Sequence, residues 1–240
     1  MIKANIGDAH AMGNIPVTFI RQVLAIVSYP DLLNSSEFPA DAKARAKAIL
    51  DGCKGSSVGS YSDSPGVEII RRHVADYIQR RDGGVPADWQ NVILCAGASE
   101  GIRAVMKLLT NPDGGNGLKR PGVMIPIPQY PLYSASLAEY NMHQIGYYLN
   151  EDKNWSLDVS ELERAYSEAC KECQPRAIVV INPGNPTGNV LSKANIEAVV
   201  KFAAEKNLFV FADEVYQDNV YADGCQFHSF KKVIEVIFTT

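Results

Sequence analysis

The sequence predicts an α/β fold, a mostly parallel sheet with helices on both faces. Three observations predict it. Short runs that are apolar at every position, AIVVI and LFVFA among them, read as strands buried on both faces. Helix-period segments stand between them, so strand and helix alternate from about residue 60 onward. Hydrophobic residues make up 46% and charged residues 21% of the chain, which is a globular composition and excludes a disordered one.

The elements follow in order. Pro16–Val27 and Pro39–Asp51 have helical spacing, each with Pro in its first turn. A Gly/Ser-rich connection leads to a helix opened by Ser64–Pro65–Gly66 and ended by Asp82–Gly83–Gly84. Asn91–Ala96 is a short apolar run and reads as a strand, with Cys95 as a small core residue. Ser99–Leu109 is helical through Ile102, Val105, Met106 and Leu109. Gly122–Ile125, Gln144–Leu149, Ala177–Ile181 and Leu208–Ala212 are further strands, and Leu132–Tyr140 is a helix. Asp158 and Glu161 form a capping-box signal for a helix over Asp158–Cys173, and Ser192 caps one over Ser192–Asn207.

Charge and cysteine narrow the function. With 23 Lys+Arg against 27 Asp+Glu the net charge is −4, which leaves no positive excess for general nucleic-acid binding. No apolar run reaches the roughly 18 residues of a membrane-spanning helix. Cys170 and Cys173 form a CxxC without a second ligand pair, so they read as helix-face thiols in a reducing compartment, not as a metal site. Met1 is followed by IKANIGDA, with no basic start or apolar core, and a cytoplasmic protein is expected. At about 150 residues per domain, the length predicts one and a half domains.

In parallel sheets, ligands bind beyond the C-terminal ends of the strands, so four turns matter. GASEG after Ala96 opens a helix and is either a phosphate cradle or an ordinary turn and cap. In PIPQYPLYSA, Tyr130 is either a buried aromatic or a ring that stacks on a flat cofactor. NPGNPTG forces a rigid path denser in Pro and Gly than a connector needs, and Asn185 there can offer its amide to a ligand oxygen. In ADEVYQDNVY, Asp213 is either a helix cap or a partner for a protonated ring nitrogen.

The order GAS, QYPLY, NPGNPTG, ADEVY resembles the class I aminotransferases of pyridoxal-phosphate fold type I, over nearly the whole chain. IKANIGDA, VINPGNPTG and the ADEVY…FHSFKK stretch look most like the family's alanine-specific members. The resemblance implies pyridoxal 5'-phosphate as cofactor, and amino transfer from L-alanine to 2-oxoglutarate giving pyruvate and glutamate. It implies that Ala98, Ser99 and Glu100 hold the phosphate and that Tyr130 stacks on the ring. Asn185 and Tyr216 would bond the ring's phenolic oxygen, and Asp213 the ring nitrogen. Tyr61 would reach the neighbouring subunit's phosphate in a homodimer, and Gly7 would lie close to substrate. Residues 1–50 are then an N-terminal arm with helices, and 51–240 an incomplete large cofactor-binding domain without the small C-terminal domain.

The family's Schiff-base lysine, usually in S-x-S-K on a strand after ADEVY, is not found. The lysines after Asp213 are Lys231 and Lys232, in a segment that resembles the helix before that strand, so no catalytic residue is assigned. VIEVIFTT departs from the family pattern. The chain is therefore expected to be inactive alone and poorly soluble, with open apolar sheet edges. The other readings are an aminotransferase for kynurenine or aromatic substrates, and a non-catalytic module that binds pyridoxal phosphate or pairs with an intact subunit.

Overall fold

The computed structural model describes residues 8–111 and 119–239, in two compact units. The first unit takes the described residues up to Gln79 together with Pro86–Leu94, and the second takes Arg80–Val85 and the described residues from Cys95 onward.

In the first unit, α1 (Thr18–Ser28) packs on α2 (Ala40–Asp51). Val23, Ile26 and Val27 meet Ala42, Ala46 and Leu50, the one-face spacing of each helix. Next comes α3 (Glu68–Arg81), whose last two residues are counted with the second unit, as are Gly83 and Gly84, both at positive φ.

The expected strand over Asn91–Ala96 does not form. Residues 89–91 make a short 3-10 turn, and 92–95 run without a strand partner among the described residues. A side chain takes the carbonyls that a neighbouring strand would otherwise bond. Arg71, only 5% exposed, donates from Nε to Val92 O at 2.8 Å and from Nη2 to the carbonyls of Trp89 and Gln90. Leu94 N–H donates to Pro65 O at 2.8 Å. Cys95 is exposed, not a core residue.

The second unit alternates as the pattern predicts: α4 (Ala98–Leu108), β1 (Pro121–Ile127), α5 (Leu132–Glu139), β2 (His143–Tyr148), α6 (Val159–Glu172), β3 (Gln174–Ile181), α7 (Lys193–Glu205), β4 (Phe209–Asp213) and α8 (Phe230–Thr239). The four strands form one sheet in the order β2-β1-β3-β4, every pair parallel. Alternate residues of each strand face opposite ways. Val123, Ile125, Ala177, Val179 and Phe211 pack with Met106 of α4 and with Tyr133 and Leu137 of α5. Met124, Ile178 and Val180 pack on the other face with Leu162, Ile196 and Val233 of α6, α7 and α8. Fully burying each large apolar side chain of these layers stabilises the fold by about 1.5–3 kcal/mol.

One local expectation changes. Asp158 caps α6, but it accepts from Ser160 N–H, and Glu161 does not close a capping box. Glu161 reaches instead to Tyr148 N–H at 3.0 Å and to Arg164 at 2.6 Å, tying the helix to the end of β2. VIEVIFT, which departs from the family pattern in sequence, continues α8 from the HSFKK segment. Ser192 caps α7 through Asn195 N–H, as expected.

Candidate functional site

Because β1, β3 and β4 are parallel, their C-terminal ends lie at one sheet edge, with Ile181 in register with Asp213. From that edge emerge the chain after Ile127, the loop of residues 182–192 and the turn of residues 214–217.

Asp213 ends β4, and each of its oxygens has a donor. The Tyr133 hydroxyl donates to Oδ2 at 2.6 Å, and Val215 N–H donates to Oδ1 at 3.3 Å. The second bond makes Asp213 the cap of a turn, not of a helix. Tyr133 is fully buried, and burial first, then the carboxylate beside it, pushes its ionisation well above the ordinary phenol range. It therefore remains a neutral donor. Sequence reasoning missed Tyr133. The available signal was its position three residues after Tyr130, across the start of a helix.

The 182–192 loop is fixed at both ends. Asn182, fully buried, donates its N–H to Asp213 O and accepts Leu191 N–H on Oδ1, each at 2.9 Å. Its Nδ2 is buried with no hydrogen-bond partner among the described residues. Within the loop Asn189 Nδ2 donates to Trp155 O at 2.9 Å. The peptide bonds before Pro183 and Pro186 are cis, as is that before Pro128. Asn185 Nδ2 stands 3.4 Å from Tyr216 Oη, and both line an open hollow of about 350 Å³ with Pro183, Gly184, Asn219 and Tyr221.

Tyr130 is 45% exposed, so it is not the buried aromatic of the alternative reading. At α4 the N-cap is Gly97, φ +85°, with no side chain capping the helix. Ser99 is thus not the cap, and Ala98, Ser99 and Glu100 are exposed in the first turn. The Glu100 carboxylate bends back to accept Ala96 N–H at 2.5 Å. A phosphate at this end would meet backbone N–H groups and the positive end of the helix, with the carboxylate held on its own backbone. Tyr61 lies in the other unit and is 93% exposed, while Gly7 lies outside the described residues.

The donor set fits a flat, phosphorylated heteroaromatic ring: an oriented carboxylate, a loosely coupled amide–phenol pair, an exposed aromatic and an uncapped helix start. A parallel sheet whose C-terminal edge leads into the segments of Tyr130, Asn185, Asp213 and Tyr216 has the architecture of a cofactor-binding α/β domain. The chain belongs to the family "Aminotransferase class I and II", whose model matches residues 25–239. This is a family of pyridoxal-phosphate enzymes.

The chain is 61% identical over 234 residues to "Alanine aminotransferase 2-like" of Danio rerio, covering 98% of this chain and 42% of that protein. It is 60% identical over 234 residues to human "Alanine aminotransferase 1", covering 98% of this chain and 47% of that one. It spans a little under half the length of these relatives. Among solved structures, an aminotransferase from Escherichia coli superposes with TM-score 0.70 at 25% identity, over 95% of this chain and 46% of that one. Alanine aminotransferase from Pyrococcus furiosus superposes with TM-score 0.63 over 95% of this chain and 56% of that one, and at 20% identity it shows the fold alone. No helix among the described residues is long and apolar enough to cross a membrane.

Proposed function

We propose that this chain forms the cofactor-binding part of an aminotransferase that passes the amino group of L-alanine to 2-oxoglutarate. The observation that carries the reading is the Asp213 carboxylate, oriented by Tyr133 at the edge that also presents Asn185 and Tyr216. The alanine substrate rests on identity near 60% to alanine aminotransferases of several vertebrates.

When bound, pyridoxal phosphate supplies an electron sink for the negative charge left on removing an amino acid's α-proton. Asp213 holds a proton on the ring nitrogen by placing a fixed negative charge beside it. Asn185 and Tyr216 orient the ring through its phenolic oxygen, and Tyr130 covers one face. Ala98, Ser99 and Glu100 supply first-turn N–H groups to the phosphate. Tyr61 serves a neighbouring subunit in a homodimer, and Gly7 approaches substrate. The five free thiols suit a reducing compartment such as the cytoplasm. Lys231 and Lys232 lie in the first turn of α8, and the Lys232 N–H donates to Ser229 Oγ at 3.0 Å. Neither is assigned a catalytic role, and the 240 residues alone are expected to bind the cofactor without turning over.

Titration of the 240-residue chain with pyridoxal phosphate, followed by cofactor fluorescence, tests the site. Saturable binding weakened at least about tenfold by Asp213→Ala is expected for a lost charge-assisted contact. Equal binding by Asp213→Ala rules the site out. Absence of alanine-dependent pyruvate formation by the product of the complete reading frame rules out the substrate.

A further inference from the structure

A buried polar cluster in the second unit plays no part in the site as described above. Arg81, at the end of α3, donates from Nε and Nη2 to the two oxygens of Asp82, both at 2.9 Å. Its Nη1 donates to Gln217 Oε1 at 3.0 Å and stands 3.5 Å from Glu214 Oε2. Asp82, its side chain 2% exposed, also accepts from Ser229 Oγ at 2.8 Å. Glu214 Oε1 accepts the Phe230 N–H at the start of α8 at 2.7 Å.

One guanidinium thus faces two carboxylates away from bulk water. Such an arrangement is a poor source of net stability, since apolar side chains of similar volume often serve as well. Its geometric effect is larger. Glu214 and Gln217 bracket Val215 and Tyr216, and the turn between them is closed by Gln217 N–H to Glu214 O at 3.0 Å. Asp213, next in the chain, is fixed on the other side by Tyr133. The Tyr216 hydroxyl meets the Asn185 amide at 3.4 Å, an uncharged contact, whereas the Arg81–Glu214 contact at 3.5 Å is an ion pair and falls off less steeply with distance.

The geometry points to Arg81 as a positioning residue for the candidate cofactor site: with Nε and Nη2 anchored on Asp82, its Nη1 bonds Gln217 and pairs with Glu214, and so sets where the Tyr216 phenol stands relative to the Asp213 carboxylate. This rests on the cofactor-site reading given above. A lysine keeps the charge at position 81 but not the fork, so it cannot serve Asp82, Glu214 and Gln217 together. Ser229→Ala is the control, because it loosens Asp82 from α8 and leaves both turn residues bonded.

Hydrogen exchange of the 240-residue chain is followed over residues 213–219 for the unaltered protein, Arg81→Met, Arg81→Lys and Ser229→Ala, with thermal unfolding as the check on folding. Pyridoxal phosphate affinity is measured on the same samples. Arg81→Lys is expected to exchange about tenfold faster in this segment and to bind the cofactor about tenfold more weakly, the scale of one lost hydrogen bond in a local opening. Ser229→Ala is expected to unfold at lower temperature with both quantities within about twofold of the unaltered chain. If Arg81→Met does not fold, Arg81→Lys decides. Unchanged exchange in Arg81→Lys, or an equal change in Ser229→Ala, overturns the inference. If the unaltered chain does not bind pyridoxal phosphate, the functional reading falls, and the exchange data alone decide the role of Arg81.

Discussion

Tyr133 and Asp213, 80 residues apart in the chain, are joined by a hydrogen bond of 2.6 Å. The phenol comes from the first turn of α5 and the carboxylate from the end of β4. Their meeting follows from packing: Tyr133 is buried in the layer that α4 and α5 form against the sheet. A neutral donor in a dry layer, with Val215 N–H on Oδ1, gives the carboxylate one preferred orientation.

Tyr133→Phe keeps the buried ring and removes only the hydroxyl. The folded chain is expected to lose about 1–3 kcal/mol, the scale for leaving a partly buried acceptor unpaired. Urea unfolding measures this loss. Pyridoxal phosphate binding is expected to weaken in the same variant, because Asp213 becomes free to turn. Unchanged stability together with unchanged affinity would show that the bond orients nothing.

Gly184 and Gly188 share one loop and are constrained for different reasons. A Cβ on Gly184 would press on Asn189 Oδ1 and Thr187 Oγ1, which are themselves joined at 2.5 Å. On Gly188 it would meet nothing within 4 Å, but φ is +71°. Gly184→Ala should therefore cost about 1–3 kcal/mol by overpacking and shift the loop. Gly188→Ala should cost about 1–2 kcal/mol by backbone strain alone. Thermal denaturation compares the two. Cofactor affinity should fall only for Gly184→Ala, because Asn185 follows it directly, and the reverse order of affinities would contradict this account.

Asp82 and Glu214 belong to one cluster and respond to pH with opposite signs. Burial raises the Asp82 pKa, but hydrogen bonds from Arg81 and Ser229 outweigh it, and the carboxyl is held below its ordinary value. Its contribution to stability is present above the unfolded-state value and is lost as pH falls through the folded one. Glu214 is pushed above its ordinary value, chiefly by burial. Its contribution is present below the unfolded-state value and is lost as pH rises through the folded one. Stability should thus rise as pH drops from neutral into the range where Glu214 protonates, and fall again once Asp82 protonates. Glu214→Gln should remove the rise and Asp82→Asn the fall in a series of urea midpoints against pH. A rise that survives Glu214→Gln would assign it to another group.

The strands and helices of the second unit were legible because their signals are local. Runs such as AIVVI have no polar position to turn outward, and the intervening segments carry 3.6-residue spacing and caps such as Ser192. The same rule misread Asn91–Ala96. Its apolar run resembles a strand, yet Arg71 takes the carbonyls of Trp89, Gln90 and Val92, and the guanidinium lies 4.8 Å from the centre of the Trp89 ring. An arginine 21 residues before Val92 gives no local sign of that use. The capping box at Asp158 failed for a related reason, since Glu161 found stronger partners in Arg164 and Tyr148 N–H.

By itself the sequence determined the fold class, three of the four expected turns at the ligand edge and the family, because apolar periodicity and Pro/Gly turn chemistry act over a few residues. Only the tertiary structure decided which groups hold those turns: Tyr133 on Asp213, Asn182 across the 182–192 loop, and Arg81 on Glu214 and Gln217. Those partners are from 9 to 136 residues apart. Sequence spacing does not encode such pairs. The parallel sheet creates them by bringing the ends of its strands to one edge, where a buried polar group must find a partner or lose its hydration without return.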